Sequence, residues 1–131
     1  MCWTVLDRAV RIAELFVARD RPDWRQARDE IAHDLLANGW NERVGAFTTA
    51  YGSDDLDAAA LAVGLGGLLD PRDPRFVATV EAVDRELRTG PTVRRYIFDD
   101  GLPGTEGGFH ICATWLVEAL SLIGEAERAE A

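Results

Sequence analysis

Cysteine is scarce in this chain: Cys2 and Cys112 stand far apart, each inside an apolar helical pattern. Two such thiols suit neither a disulfide framework nor a zinc site, so both are expected to be free and buried. Positive charge is short as well, with 14 basic residues against 23 acidic ones and a net charge of -9. Nothing in that balance, and no basic run, offers a surface for a phosphate backbone, which argues against nucleic acid as a partner. The N-terminal segment MCWTVLDRAVRIAEL lacks an unbroken apolar stretch, because Asp7, Arg8, Arg11 and Glu14 interrupt it. Neither a signal peptide nor a membrane span fits there, and the expected location is the cytoplasm. Nucleophile motifs, phosphate-binding glycine loops and CxxC pairs are missing too.

What is present is an ordinary globular composition, 47% apolar and 28% charged over 131 residues. That length suits one domain, which buries roughly two-thirds of its unfolded surface. Residues 3–18 put Leu6, Ala9, Val10, Ala13, Phe16 and Val17 on one face and Asp7, Arg11 and Glu14 on the other, which predicts a mostly buried helix. Pro22 opens a second helix over 22–38, with the apolar line Trp24, Ala27, Ile31 and Leu35, charged outer faces and Gly39 as its stop. LDAAALAVGLGGLL, residues 56–69, is apolar or small all round. It predicts an inner helix with close backbone approach, capped by Asp54 or Asp55.

Asp73 and Pro74 then start an outer helix with the stripe Phe76, Val80, Val83 and Leu87, opposed by Glu81, Asp84, Arg85 and Arg88. Thr105 can cap a last inner helix reaching about Gly124, and TVRRYIF at 92–98 is the one short strand candidate. About five main helices, alternating inner and outer, predict an all-α fold of antiparallel hairpins, a solenoid or a closed α/α toroid. The links from outer to inner helices, 39–55 and 89–104, are the long ones. They gather at one end with the N-termini of the inner helices, where sites usually sit.

Those links bring Trp40, Tyr51, Arg94, Arg95, Tyr96, Asp99, Asp100 and Glu106 towards that end, and Trp3 opens the first inner helix nearby. Rings for stacking, with arginine and carboxylate for hydroxyl groups, suit a polar ring-shaped ligand such as a sugar. The same aromatics can instead cover the end of the core while the arginines pair with surface acids, and both readings stay open. Glu106 falls in the first turn after Thr105, where helix N–H groups favour an ionised carboxylate, and Gly104, Gly107 and Gly108 clear space around it. His110 follows four residues later, but two ligands without a third make a poor metal site, and a satisfied, partly buried histidine is expected. No metal or cofactor is expected.

MCWTVLDRA, RDEIAHDLLANGWNERVGAFTTAYGSDDLDAAAL, DPRDPRFVATVEAVDREL and DDGLPGTEGGFHICATWLVEALSLIG occur in order over nearly the whole chain. In these stretches the sequence resembles glycoside hydrolase family 15, which includes glucoamylases and trehalases, and its bacterial trehalase-like members in particular. The resemblance implies part of an (α/α)6 toroid, a single partial domain over residues 1–131, in which inner helices surround a sugar site. It also implies an inverting α-glucosidic hydrolase ancestry, in which one glutamic acid protonates the leaving oxygen and a second glutamate activates water. The family's Trp-Glu and Glu-Glu motifs for those two groups lie before and after the matching region, and neither occurs here. No catalytic residue is therefore assigned.

By the same resemblance Arg95 and Tyr96 match a sugar-binding Arg-Tyr pair, and Glu106, in GTEGGF where many relatives have GGEGAF, matches a binding segment rather than the base. The expected chain is a fragment or truncated relative carrying part of the sugar site (Trp3, Arg95, Tyr96 and Glu106) and inactive alone. The alternative is an oligomeric helical carbohydrate-binding or interaction module. Either way, helices taken from a closed ring leave apolar flanks on the first and last inner helices, which predicts self-association.

Overall fold

The computed structural model describes residues 1–99, 101, 103–104 and 107–130. Its helices are α1 (Cys2–Phe16), α2 (Pro22–Asn38), α3 (Ala62–Leu65), α4 (Pro74–Leu87), α5 (His110–Leu122) and α6 (Ala126–Glu130). Two short antiparallel ribbons lie in the long links: β1 (Trp40–Asn41) pairs with β2 (Ala46–Phe47), and β3 (Arg88–Thr89) with β4 (Thr92–Val93). The strand candidate at 92–98 thus contributes only its first two residues, and the fold is helical as expected. Among the described residues no helix is long and apolar enough to cross a membrane.

The core lies in the second half of the chain. The expected stripe of α4 is fully realised, with Phe76, Val80, Val83 and Leu87 all at 0% exposure, packed against α5, β2 and the 3-10 turn Ala58–Leu61. Thr79 is buried beside them: its hydroxyl donates to the Arg75 carbonyl oxygen at 2.7 Å and accepts the Phe47 N–H at 3.1 Å, joining β2 to α4. On the opposite face, Arg128 of α6 is clamped to Glu81 and Asp84 of α4, and those carboxylates raise its pKa.

The α4 N-terminus shows how local chemistry sets an element. Asp73 accepts the Arg75 N–H at 2.8 Å, and Pro74, with its preset φ, follows directly. Hydrogen bonds from the Arg75 side chain and then its backbone hold the Asp73 carboxyl below its usual pKa. A depressed folded-state pKa contributes stability above the unfolded value, near 4, and that stability is lost as pH falls through the folded value. Asp73→Ala is expected to cost about 1 kcal/mol at neutral pH and to flatten the acid limb of stability, read by urea unfolding at pH 7 and pH 3.

Three expectations change. The segment 56–69 is not one inner helix. It runs extended to Asp57, makes the 3-10 turn, continues as α3 and turns at Gly66. The cap is Asp57, which accepts the Ala59 N–H at 2.7 Å, rather than Asp54 or Asp55; Asp54 instead accepts from Asn41. Small residues let α3 lie tight on α4, with Gly64 against the Phe76 ring, so close backbone approach is realised over a shorter helix.

The second change concerns α1 and α5, which are not buried all round. α1 packs on α2 and buries Asp7, Val10 and Ala13, while Val5, Ile12, Leu15 and Phe16 are exposed. α5 buries Cys112, Leu116, Ala119 and Leu120 but exposes Ile111, Val117 and Leu122. Each has neighbours on one side only, so its other apolar face meets solvent. Asp7, expected on the polar face, is instead the hub between α1 and α2, paired with Arg8, with Arg11 at 3.1 Å and with Arg28 at 3.7 Å.

Third, Cys112 is buried but Cys2 is exposed, because the first turn of α1 carries it on the uncovered side. His110 is likewise exposed rather than partly buried, since α5 starts there with Phe109 as its N-cap, later than the start expected after Thr105.

Candidate functional site

A cleft of about 260 Å³ opens where the first turn of α1, the end of α2, the strand β2 with the residues after it, and the 3-10 turn converge. The sequence builds it from local stops. Gly39 ends α2, β1 and β2 return the chain, and Phe47 packs its ring edge-to-face on Trp40 at 5.5 Å. Thr48, Thr49 and Tyr51 then run along the rim. The Thr49 N–H donates to the Asp55 carbonyl oxygen at 2.9 Å, tying the rim to the segment that enters the 3-10 turn.

Trp3, Phe47 and Tyr51 supply the rings of this cleft, and Thr4, Thr48, Thr49 and Asp57 its polar side chains. The Tyr51 hydroxyl donates to Asp34 Oδ2 at 2.8 Å. That bond, aided by partial burial, raises the Tyr51 pKa, so the phenol stays protonated through the neutral range. Among the described residues Asp57 is the one carboxylate on the wall. Inverting glycoside hydrolysis uses two carboxylates facing each other across the scissile bond, and the described residues put one on this wall.

Arg95 reaches the cleft through Asp57. Its Nε lies 3.3 Å from Asp57 Oδ2, and its carbonyl oxygen accepts the Ala58 N–H at 2.8 Å. The guanidinium stands 5.5 Å from the Tyr96 ring centroid, and Tyr96 stacks on Phe98 at 4.4 Å. The second long link is thus tied to the 3-10 turn that forms one side of the cleft.

The sequence-derived residues divide accordingly. Trp3 and Tyr51 line the cleft; Arg95 does not line it but pairs with Asp57 on its wall, and Tyr96 lies beside Arg95. Trp40 packs with the core instead, Arg94 is exposed with its N–H given to the Leu87 carbonyl oxygen, and Asp99 accepts the Gly101 N–H. Asp100, Thr105 and Glu106 lie outside the described residues. Asp57, on the wall itself, escaped sequence reading because Asp54, Asp55 and Asp57 are equivalent as caps until the backbone chooses one. No three His, Cys, Asp or Glu side chains among the described residues gather as a metal site.

A trehalase from Mycobacterium tuberculosis is 46% identical over 134 residues, covering 99% of this chain and 20% of that protein. A trehalase from Thermoplasma acidophilum is 33% identical over 133 residues, covering 100% of this chain and 23% of its own length. The chain therefore spans about a fifth of the length of these curated relatives. Among solved structures, a wild-type glycosidase superposes with a TM-score of 0.72 at 24% identity, over 83% of this chain and 29% of that one; a variant solved in complex with glucose gives the same values. The model of glycosyl hydrolases family 15 matches residues 1–128, and the chain belongs to that family.

Proposed function

We propose that this chain forms one wall of an α-glucoside site of the family 15 type and does not hydrolyse substrate by itself. The observation that carries the reading is the cleft lined by Trp3, Tyr51 and Asp57, the last of which holds Arg95 in an ion pair. Rings that stack on a pyranose, with arginine and hydroxyl groups for its hydroxyls, are the chemistry such a ligand needs. The trehalases among its relatives narrow the ligand class to α-linked glucosides. Trp3 is the stacking platform, Arg95 and Tyr96 bind hydroxyls, and Glu106, which lies outside the described residues, is assigned to sugar binding by the family resemblance alone. Residues 1–131 act as a single partial domain without metal or cofactor, in the cytoplasm.

Loss of general acid or general base assistance removes roughly two to four orders of magnitude each, so a wall lacking both is a binding surface. Incubation with trehalose and maltose is expected to release no glucose above background. Titration with glucose or trehalose, followed by NMR, is expected to shift the Trp3 indole and Arg95 side-chain signals. Hydrolysis that disappears in Glu106→Gln would overturn the reading, as would the absence of any sugar-dependent shift.

A second reading, an oligomeric carbohydrate-binding or interaction module, is favoured by one specific observation. The exposed apolar line Val5, Ile12, Leu15 and Phe16 on α1 is more than a monomer surface ordinarily carries. The two readings are compatible, because the cleft and this line are different surfaces of α1.

A further inference from the structure

We infer that Asp57 is the positioning residue for Arg95, presenting its guanidinium to the cleft; the inference rests on the sugar-site reading and extends it to a residue that itself binds no sugar. Asp57 is 7% exposed, yet its carboxylate is divided between two tasks. Oδ1 accepts the Ala59 N–H at 2.7 Å and so belongs to the 3-10 turn, a fixed part of the core wall. Oδ2 takes the Arg95 Nε at 3.3 Å, across 38 residues of sequence. A second bond parallels it, from the Ala58 N–H to the Arg95 carbonyl oxygen at 2.8 Å. The backbone of the second long link is thus pinned to the 3-10 turn, and the carboxylate then selects the direction of the side chain.

Arg95 needs such a partner. Its side chain is 53% exposed, and a free arginine in solvent samples many rotamers that binding must freeze. The hydrogen bond to Asp57 uses Nε, which fixes the stem and the plane of the guanidinium and, among the described residues, leaves both Nη groups outside that bond. Two parallel N–H donors are the geometry that vicinal hydroxyls accept. The Tyr96 ring, 5.5 Å from the guanidinium, borders the other side of the group.

The test separates this role from a structural one. Asp57→Asn keeps a side-chain oxygen for the Ala59 N–H, so the turn is retained while the charge facing Arg95 is lost. Arg95→Gln changes an exposed side chain, and Asp57→Asn/Arg95→Gln completes the cycle. In the unliganded chain, the Arg95 Nε–H signal is expected to move and to exchange faster with water in Asp57→Asn. Glucose affinity by NMR titration is expected to fall about tenfold in Asp57→Asn and similarly in Arg95→Gln, with no further loss in the double variant. Affinity in Asp57→Asn equal to wild type, or losses that simply add, would overturn the positioning role and leave the sugar site standing. No glucose-dependent shift in the wild type, with the Arg95 Nε–H signal still sensitive to Asp57→Asn, would overturn the sugar-site reading and this inference with it.

Discussion

Gly64→Ala is expected to lower the unfolding free energy by about 3 kcal/mol, the upper end for overpacking a closed core. A Cβ at that position would lie closer than 3.0 Å to three carbons of the Phe76 ring, a separation that real Cβ atoms do not show. The ring has no room to retreat, because Phe76 is at 0% exposure and its neighbours Val80 and Val83 are equally closed. Helix propensity works the other way, favouring alanine over glycine by about 1 kcal/mol. The steric cost is larger, so the net sign is destabilising.

Phe76→Leu removes the outer ring carbons and alone costs about 1–2 kcal/mol through the space it leaves. Combined with Gly64→Ala it should cost less than the sum by at least about 1 kcal/mol, since the new methyl occupies part of that space. Chemical denaturation of the four chains measures this. Additive losses would mean that α3 yields by moving away from α4, and that the tight seam is not what fixes it.

Self-association at concentrations on the order of 10 µM is the other large effect expected, driven by apolar burial. Val5, Ile12 and Phe16 recur at helical spacing on the side of α1 turned away from α2, and Leu15 flanks them. Leu15 and Phe16 are 76% and 82% exposed, so their side chains contribute little to the isolated fold and much to any surface that covers them. The proposed occupant is the same stripe of a second copy, which pairs like with like under two-fold symmetry.

Ile12→Glu/Phe16→Glu should then convert the oligomer to a monomer with helix content unchanged, because both positions are exposed and already helical. Sedimentation velocity across a hundredfold dilution, together with far-UV circular dichroism, reads both quantities. A wild-type monomer throughout that range, or an oligomer indifferent to the two glutamates, would count against the stripe as the contact.

Much of the architecture was legible from local signals. Pro22 and Gly39 bracket α2, and Asp73, Pro74 and the four-residue stripe define α4, because capping and periodicity act within a few residues and need no distant partner. Loop lengths did not show that the second long link would be tied to the 3-10 turn, where the Ala58 N–H meets the Arg95 carbonyl oxygen. The inner helix at 56–69 misled for a physical reason. Apolar composition all round is equally compatible with a long buried helix and with an extended segment, a 3-10 turn and one helical turn, provided all are covered. Leu56, Asp57 and Ala58 are covered in this way.

The candidate site was legible only in part. Trp3 and Arg95 were identified by residue type and resemblance, whereas Asp57 was indistinguishable from Asp54 and Asp55 in a run of acids. Only its burial, and its place opposite Arg95, sets it apart.

By itself the sequence determined the helical class, the family, both ends of α2 and the start of α4. Those follow from short-range capping, periodicity and matched motifs. Tertiary structure alone decided which face of α1 stays bare, which aspartate caps the 3-10 turn and holds Arg95, and how closely Gly64 meets Phe76. Each of these depends on what lies across the chain, and on burial that no local window contains.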